Sequence, residues 1–216
     1  GYDPLVDLAP VASTVSSVNV LVVHPSVPAN SVKELVVLAR KRPNQLAYGS
    51  SGTGGTGHMA GALFQRLTKT QILHVPYKGS GPAMVDLVAG HTQLGFASQP
   101  SVAGFIREGR LRALAVTTAR RSKLFPQLPT LAEAGVTGYE SHAWYGFVAS
   151  SKTPLPVVLR LNQEINRILG LPDVGQSLLA QGFEAWTMTP DAFGAYIRSE
   201  AEKWTRVIRD AGINET

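Results

Sequence analysis

Short apolar runs alternate with helix-start signals along most of this chain, and that alternation restricts it to a fold of the α/β kind. Val18 to His24 reads as a buried strand ended by Pro25 and Pro28. Ser31-Val32-Lys33-Glu34 is a capping box, in which the serine hydroxyl accepts from the amide three residues on while Glu34 reaches back. The helix it opens turns Leu35, Leu38 and Ala39 inward and stops before Pro43. Leu46 to Gly49 is a short strand, followed by a glycine-rich stretch and a helix with Met59, Leu63, Phe64 and Leu67 at helical spacing. Ile72 to Tyr77, Gln93 to Ala97 and Leu111 to Thr117 are further strands, with helices leading up to Gly90 and over Ser101 to Arg107. Thr130-Leu131-Ala132-Glu133 repeats the capping-box pattern and predicts a very short helix closed by Gly135. Trp144 to Ala149 reads as another buried strand.

The last third is mainly helical. Thr153-Pro154 opens a helix whose Val157, Val158, Leu161, Ile165 and Ile168 form one apolar stripe up to Pro172. Thr189 caps a longer helix with Pro190 in its first turn and Phe193, Ile197, Ala201, Trp204 and Ile208 on its inner face. The expected division is a middle domain over 24–143 with its own sheet, and a second domain made of 1–23 and 144–216. The second domain has too few strands to cover its apolar helices.

Composition narrows the function. The chain has 216 residues, enough for one large domain or two small ones, and its net charge is only +5. Its longest apolar run, Val18 to Val23, is interrupted at Asn19, so no membrane insertion is expected. With no cysteine there is no disulfide framework, thiolate nucleophile or cysteine metal site. Arg107, Arg110, Arg112, Arg120, Arg121 and Lys123 form a basic cluster, but the segment between them reads as a strand rather than a stacking platform, so no nucleic-acid partner is expected.

The most suggestive chemistry lies in Tyr48-Gly49-Ser50-Ser51-Gly52-Thr53-Gly54-Gly55-Thr56-Gly57-His58, between a strand and a helix. Gly52, Gly54 and Gly57 have the spacing of a dinucleotide fingerprint, which would make a dinucleotide-binding oxidoreductase domain. That fingerprint needs an acidic residue near the end of the next strand, and Val75-Pro76-Tyr77-Lys78-Gly79 has none before Asp86. The unpaired amides of a helix start bind a carboxylate as readily as a phosphate. A second Gly/Ser loop, Tyr77-Lys78-Gly79-Ser80-Gly81, follows the next strand and would place more amides on the same rim.

Catalysis finds less support. Gly49-Ser50-Ser51-Gly52 lacks nucleophile-elbow spacing, and His24, His58, His74, His91 and His142 are scattered with no metal-ligand pair. The sequence favours a binding protein over an enzyme, with neither metal nor cofactor.

The glycine loop, His74-Val75-Pro76-Tyr77-Lys78-Gly79-Ser80, Gly109 to Thr117, Leu128 to Gly135 and the closing Glu202 to Ile208 together resemble the Bug family, the periplasmic solute receptors of tripartite tricarboxylate transporters. The five blocks occur in family order across nearly the whole chain. The resemblance implies a type II periplasmic binding protein: two α/β domains with an interdomain cleft closing on one small carboxylate. It also implies a periplasmic location, a monomer, and delivery to the membrane components of the transporter. Family members carry a further stretch before Tyr2, so the first domain (1–23 and 144–216) is expected to lack its N-terminal strands here. The implied ligand-binding residues are Ser51, Gly54, Gly55, Thr56, Gly57 and His58 in the first loop, Lys78, Gly79 and Ser80 in the second, and Ser98 and Gln99 on the neighbouring rim. Many relatives place Asp where Ser98 stands, and the change points to an acid without an amino group.

Overall fold

The computed structural model describes residues 2–213, which divide into two compact units. One comprises residues up to Ser17 with Ala143–Arg206, and the other Val18–His142 with the residues from Val207 onward. The strands are β1 (Leu8–Ser17), β2 (Asn19–Val23), β3 (Ala47–Ser50), β4 (Leu73–Pro76), β5 (Leu94–Ser98), β6 (Arg112–Val116), β7 (Ala143–Ser150) and β8 (Phe183–Ala185). The helices are α1 (Val32–Lys41), α2 (Thr56–Thr68), α3 (Ser80–Val88), α4 (Gln99–Arg107), α5 (Leu155–Leu169), α6 (Pro172–Ala180) and α7 (Pro190–Ala211).

The unit containing the glycine loops is built on a five-stranded sheet of order β4-β3-β5-β2-β6. β3 runs parallel to β4 and β5, whereas β2 is antiparallel to both its neighbours, β5 and β6. The expected boundary after residue 23 is therefore displaced. β2 lies inside this sheet, and every residue of Asn19-Val20-Leu21-Val22-Val23 is buried, as a strand covered on both faces requires. Val18, Val20 and Val22 pack with Leu87, Val102, Leu111, Val116 and Phe125.

Local signals explain the helices. Ser31 caps α1, its hydroxyl accepting from the Glu34 amide at 3.2 Å, while the Glu34 carboxylate accepts from the Asn30 amide at 2.7 Å. The second capping box also closes: Thr130 Oγ1 accepts from the Glu133 amide and the Glu133 carboxylate from the Thr130 amide. Yet Leu131–Gly135 is a turn and not the predicted helix, because Gly135 takes a left-handed φ of +101° before a second turn can form. Parts of the basic cluster are bound into the fold. Arg112 donates to the carbonyls of Val27 and Ala29, Arg121 pairs with Glu133, and Arg110 lies over the Phe105 ring.

The other unit holds a three-stranded antiparallel sheet of order β7-β1-β8, with α5 packed on β1 through Val11, Ala12, Val158 and Ile165. β1 escapes sequence reading because Leu8-Ala9-Pro10-Val11-Ala12-Ser13-Thr14-Val15-Ser16-Ser17 is mostly small and polar, with a proline inside. β7 is an edge strand, not a buried one: Tyr145, Phe147 and Val148 are exposed. The predicted apolar stripe of α5 is likewise only partly covered. Val158 is buried, while Val157, Leu161 and Ile168 are exposed. Pro172 ends the α5 pattern and also opens α6, which the sequence reading lacks. Trp144 packs edge-on against Phe193 and Tyr196.

Candidate functional site

Three parallel strands of the five-stranded sheet, β4, β3 and β5, end on the same edge, and each runs into a helix: β3 into α2, β4 into α3, β5 into α4. This is the carboxyl edge at which open α/β sheets bind ligands. The N-cap residues Gly55, Gly79 and Ser98 make no side-chain cap bond, and none of the three first turns holds an acidic residue. α1 differs on both counts, with Ser31 as cap and Glu34 in its first turn. The three helix ends therefore keep their unpaired amides and their partial positive charge, roughly half a unit each.

They border a cavity of about 120 Å³. Its polar lining is Asn19, Ser50, Ser51, Thr56, Ser80, Ser98 and Ser101; Ala83, Met84, Leu87, Phe96 and Ala97 supply the apolar part, and glycines the rest. Among the described residues no charged side chain lines it.

Hydrogen bonding decides which amides can serve a ligand. The Gly54 amide donates to His58 Nδ1 at 3.0 Å, Gly55 to the Gly52 carbonyl at 3.3 Å and Gly79 to the Ser51 carbonyl at 3.1 Å. At α4 the Gln99 amide donates to Val18 and Pro100 has no N–H. The donors without an acceptor inside their helices are thus the amides of Thr56, Gly57 and His58 in α2, Ser80 and Gly81 in α3, and Ser101 in α4.

Of the residues expected from sequence, the structure brings Ser51, Thr56, Gly57, Ser80 and Ser98 to the cavity. Gly54, Gly55, His58, Lys78, Gly79 and Gln99 do not line it. Lys78 is exposed, and the Gly54, Gly55, Gly79 and Gln99 amides are already used. Ser50 of the same glycine loop also lines it, as do Asn19 and Ser101, which the sequence reading did not single out. The signal for Asn19 was its interruption of an apolar run, and that for Ser101 was a third strand-to-helix junction. As for the dinucleotide alternative, Asp86 lies on α3, where its carboxylate accepts from the Tyr77 hydroxyl at 2.6 Å and lies 3.2 Å from His91 Nδ1. Among the described residues no group of three His, Cys, Asp or Glu could hold a metal ion.

His58 supports the loop from behind. Its ring stacks on His74 with centroids 3.8 Å apart and planes within 3°. His74 Nε2 lies 2.7 Å from Ser50 Oγ, which also accepts from the Gly52 amide and donates to the Gly52 carbonyl. An imidazole nitrogen that accepts from Gly54 must be unprotonated. Burial lowers the pKa of both rings, that of His74 to about 4 with a smaller contribution from the neighbouring His58 charge. As pH falls below about 6.5 the unfolded chain takes up these protons before the folded one does. The stability contributed by the neutral pair is therefore full above that pH and declines toward pH 4. Thermal melting between pH 7.5 and 4.5 should show this decline, and His74→Phe should flatten it. An equal slope in the variant would exclude the pair as its source.

A family profile described as the tripartite tricarboxylate transporter family receptor matches residues 1–213. BugT of Bordetella pertussis is 35% identical over 211 residues, covering 98% of this chain and 65% of that protein. Among solved structures, the R. palustris Rpa4515 protein with adipate is 38% identical with a TM-score of 0.80, over 99% of this chain and 71% of that one. MatC from Rhodopseudomonas palustris with bound malate is 28% identical with a TM-score of 0.74, over 96% and 72%. This chain spans 62–65% of the length of three curated relatives that it matches.

Proposed function

We propose, on the premise that this chain belongs to the tripartite tricarboxylate transporter receptor family, that it captures a small organic carboxylate in the periplasm and presents it to the transporter's membrane components. The family is one of receptors rather than enzymes, and the α/β fold is that of its solute-binding proteins. The observation that carries the reading is the convergence of three uncapped helix N-termini on one cavity with no charged side chain. A hydrogen bond to a charged group contributes about 1.5–3 kcal/mol net. A few neutral donors hold a carboxylate firmly without the permanence of a buried ion pair, which suits a protein that must hand its ligand on.

The acid we propose carries no ammonium group. Adipate and malate, bound by the two relatives, are dicarboxylates, and the cavity here offers no carboxylate to neutralise an amine. An apolar cavity of about 150 Å³ holds benzene, so this one suits a carboxylate end with a few atoms behind it and not a nucleotide. Among the described residues no helix is long and apolar enough to cross a membrane. The apolar side chains left exposed on β7 and α5 support the reading that the three-stranded sheet is part of a larger first domain.

Calorimetric titration with adipate, malate, glutamate and NAD tests the proposal. Binding of the first two and neither of the others is expected. Binding of NAD alone, or of nothing, would overturn it. Thr56→Val keeps the shape of a side chain on the cavity wall and removes its hydroxyl, and should weaken acid binding about 10- to 100-fold with little change in melting temperature. Unchanged affinity would take that hydroxyl out of the site.

A further inference from the structure

We propose that Asn19 is a ligand-reading residue of this cavity, its side-chain amide donating through Nδ2 to an oxygen of the bound carboxylate. The assignment rests on the reading of the cavity as a carboxylate site. Asn19 stands on β2, opposite Ser98 of β5 in the antiparallel register, and both residues line the cavity. It is only 3% exposed, and Nδ2 has no hydrogen-bond partner among the described residues. The described residues hold two other buried side-chain atoms in that condition, Thr92 Oγ1 and Asn166 Oδ1, and neither residue lines the cavity.

The backbone of Asn19 is fixed independently of its side chain. Its carbonyl accepts from both the amide and the hydroxyl of Thr117, at 3.0 and 3.1 Å. Leu21 and Val23, which share its face of the strand, are fully buried, so that face calls for an apolar residue here. A buried amide donor without an acceptor weakens the folded state. An anion in the cavity supplies the acceptor, and a neutral amide does so without adding a buried charge. The chemistry selected is a carboxylate or another oxyanion end, in preference to an ammonium or an apolar end.

This makes an unusual prediction for a buried polar residue. Asn19→Leu, similar in size and lacking the donor, should leave the ligand-free melting temperature unchanged or raised, while affinity for adipate and malate falls at least tenfold by calorimetry. Asn19→Ala is the second variant, deciding the matter if leucine does not fit. Wild-type affinity in either folded variant would overturn the assignment and leave the receptor reading intact. A loss of several degrees in both ligand-free variants would show a structural role and overturn it equally. A wild-type protein that binds neither acid overturns the receptor reading, and this assignment with it.

Discussion

Gly57→Ala should reduce adipate affinity by about 10- to 100-fold. Gly57 is the second residue of α2 and lines the cavity, and a Cβ there would stand 3.0 Å from the Phe96 carbonyl oxygen. That oxygen belongs to the backbone of β5, held between β3 and β2, and cannot swing aside as a side chain would. The N-terminus of α2 must retreat instead, carrying the amides of Thr56, Gly57 and His58 away from the cavity. Weakening by about half of two hydrogen bonds to a charged group, at about 1.5–3 kcal/mol each, corresponds to about one to two decades in affinity. The fold should survive, because the displacement is a few tenths of an ångström at a helix end. Calorimetric titration beside a melting curve separates the effects. Unimpaired binding would mean that the α2 amides are not the donors.

Gly61→Ala should lower stability by about 2 kcal/mol net. In the middle of α2 alanine is worth about 1 kcal/mol over glycine, so a solvent-exposed position would gain. Here the added Cβ would lie 2.3 and 2.5 Å from Cε2 and Cζ of Tyr48, and 2.9 Å from its hydroxyl oxygen. The Tyr48 ring is 1% exposed and fixed edge-on against Phe96 and obliquely against His74, so it has no free direction in which to move. Overpacking of this severity costs about 3 kcal/mol, and the steric loss wins. For a chain of this size, 2 kcal/mol net lowers the melting temperature by roughly 4–8 °C. Tyr48→Leu in the same chain should recover part of the loss. A melting temperature at or above wild type for Gly61→Ala would contradict the packing of α2 on β3.

The lining of the candidate cavity was legible in the sequence to the extent that its determinants are local. Glycine and serine at two strand-to-helix junctions mark open helix starts, and Thr56, Gly57 and Ser80 were reachable on that basis. Gly54 and Gly79 lie outside the cavity lining and their amides are already paired, Gly54 with the side chain of His58 and Gly79 with the carbonyl of Ser51 in the other loop. The Gln99 amide is paired at longer range, its acceptor being Val18, eighty-one positions earlier. A pattern of residue types shows that donors exist and not which of them are already paired.

By itself the sequence determined the α/β class, the capped start of α1, the two glycine loops and the helices after them, since capping, glycine conformation and apolar periodicity act within a few residues. Tertiary structure alone decided that β2 enters the five-stranded sheet between β5 and β6, and this brings Asn19 beside Ser98 and Thr56. The physical reason is that strand pairing and hydrogen-bond satisfaction are settled between distant segments. Val18 to Val23 is apolar enough to be buried in either unit, and the partners it found made its one polar interruption part of the cavity wall.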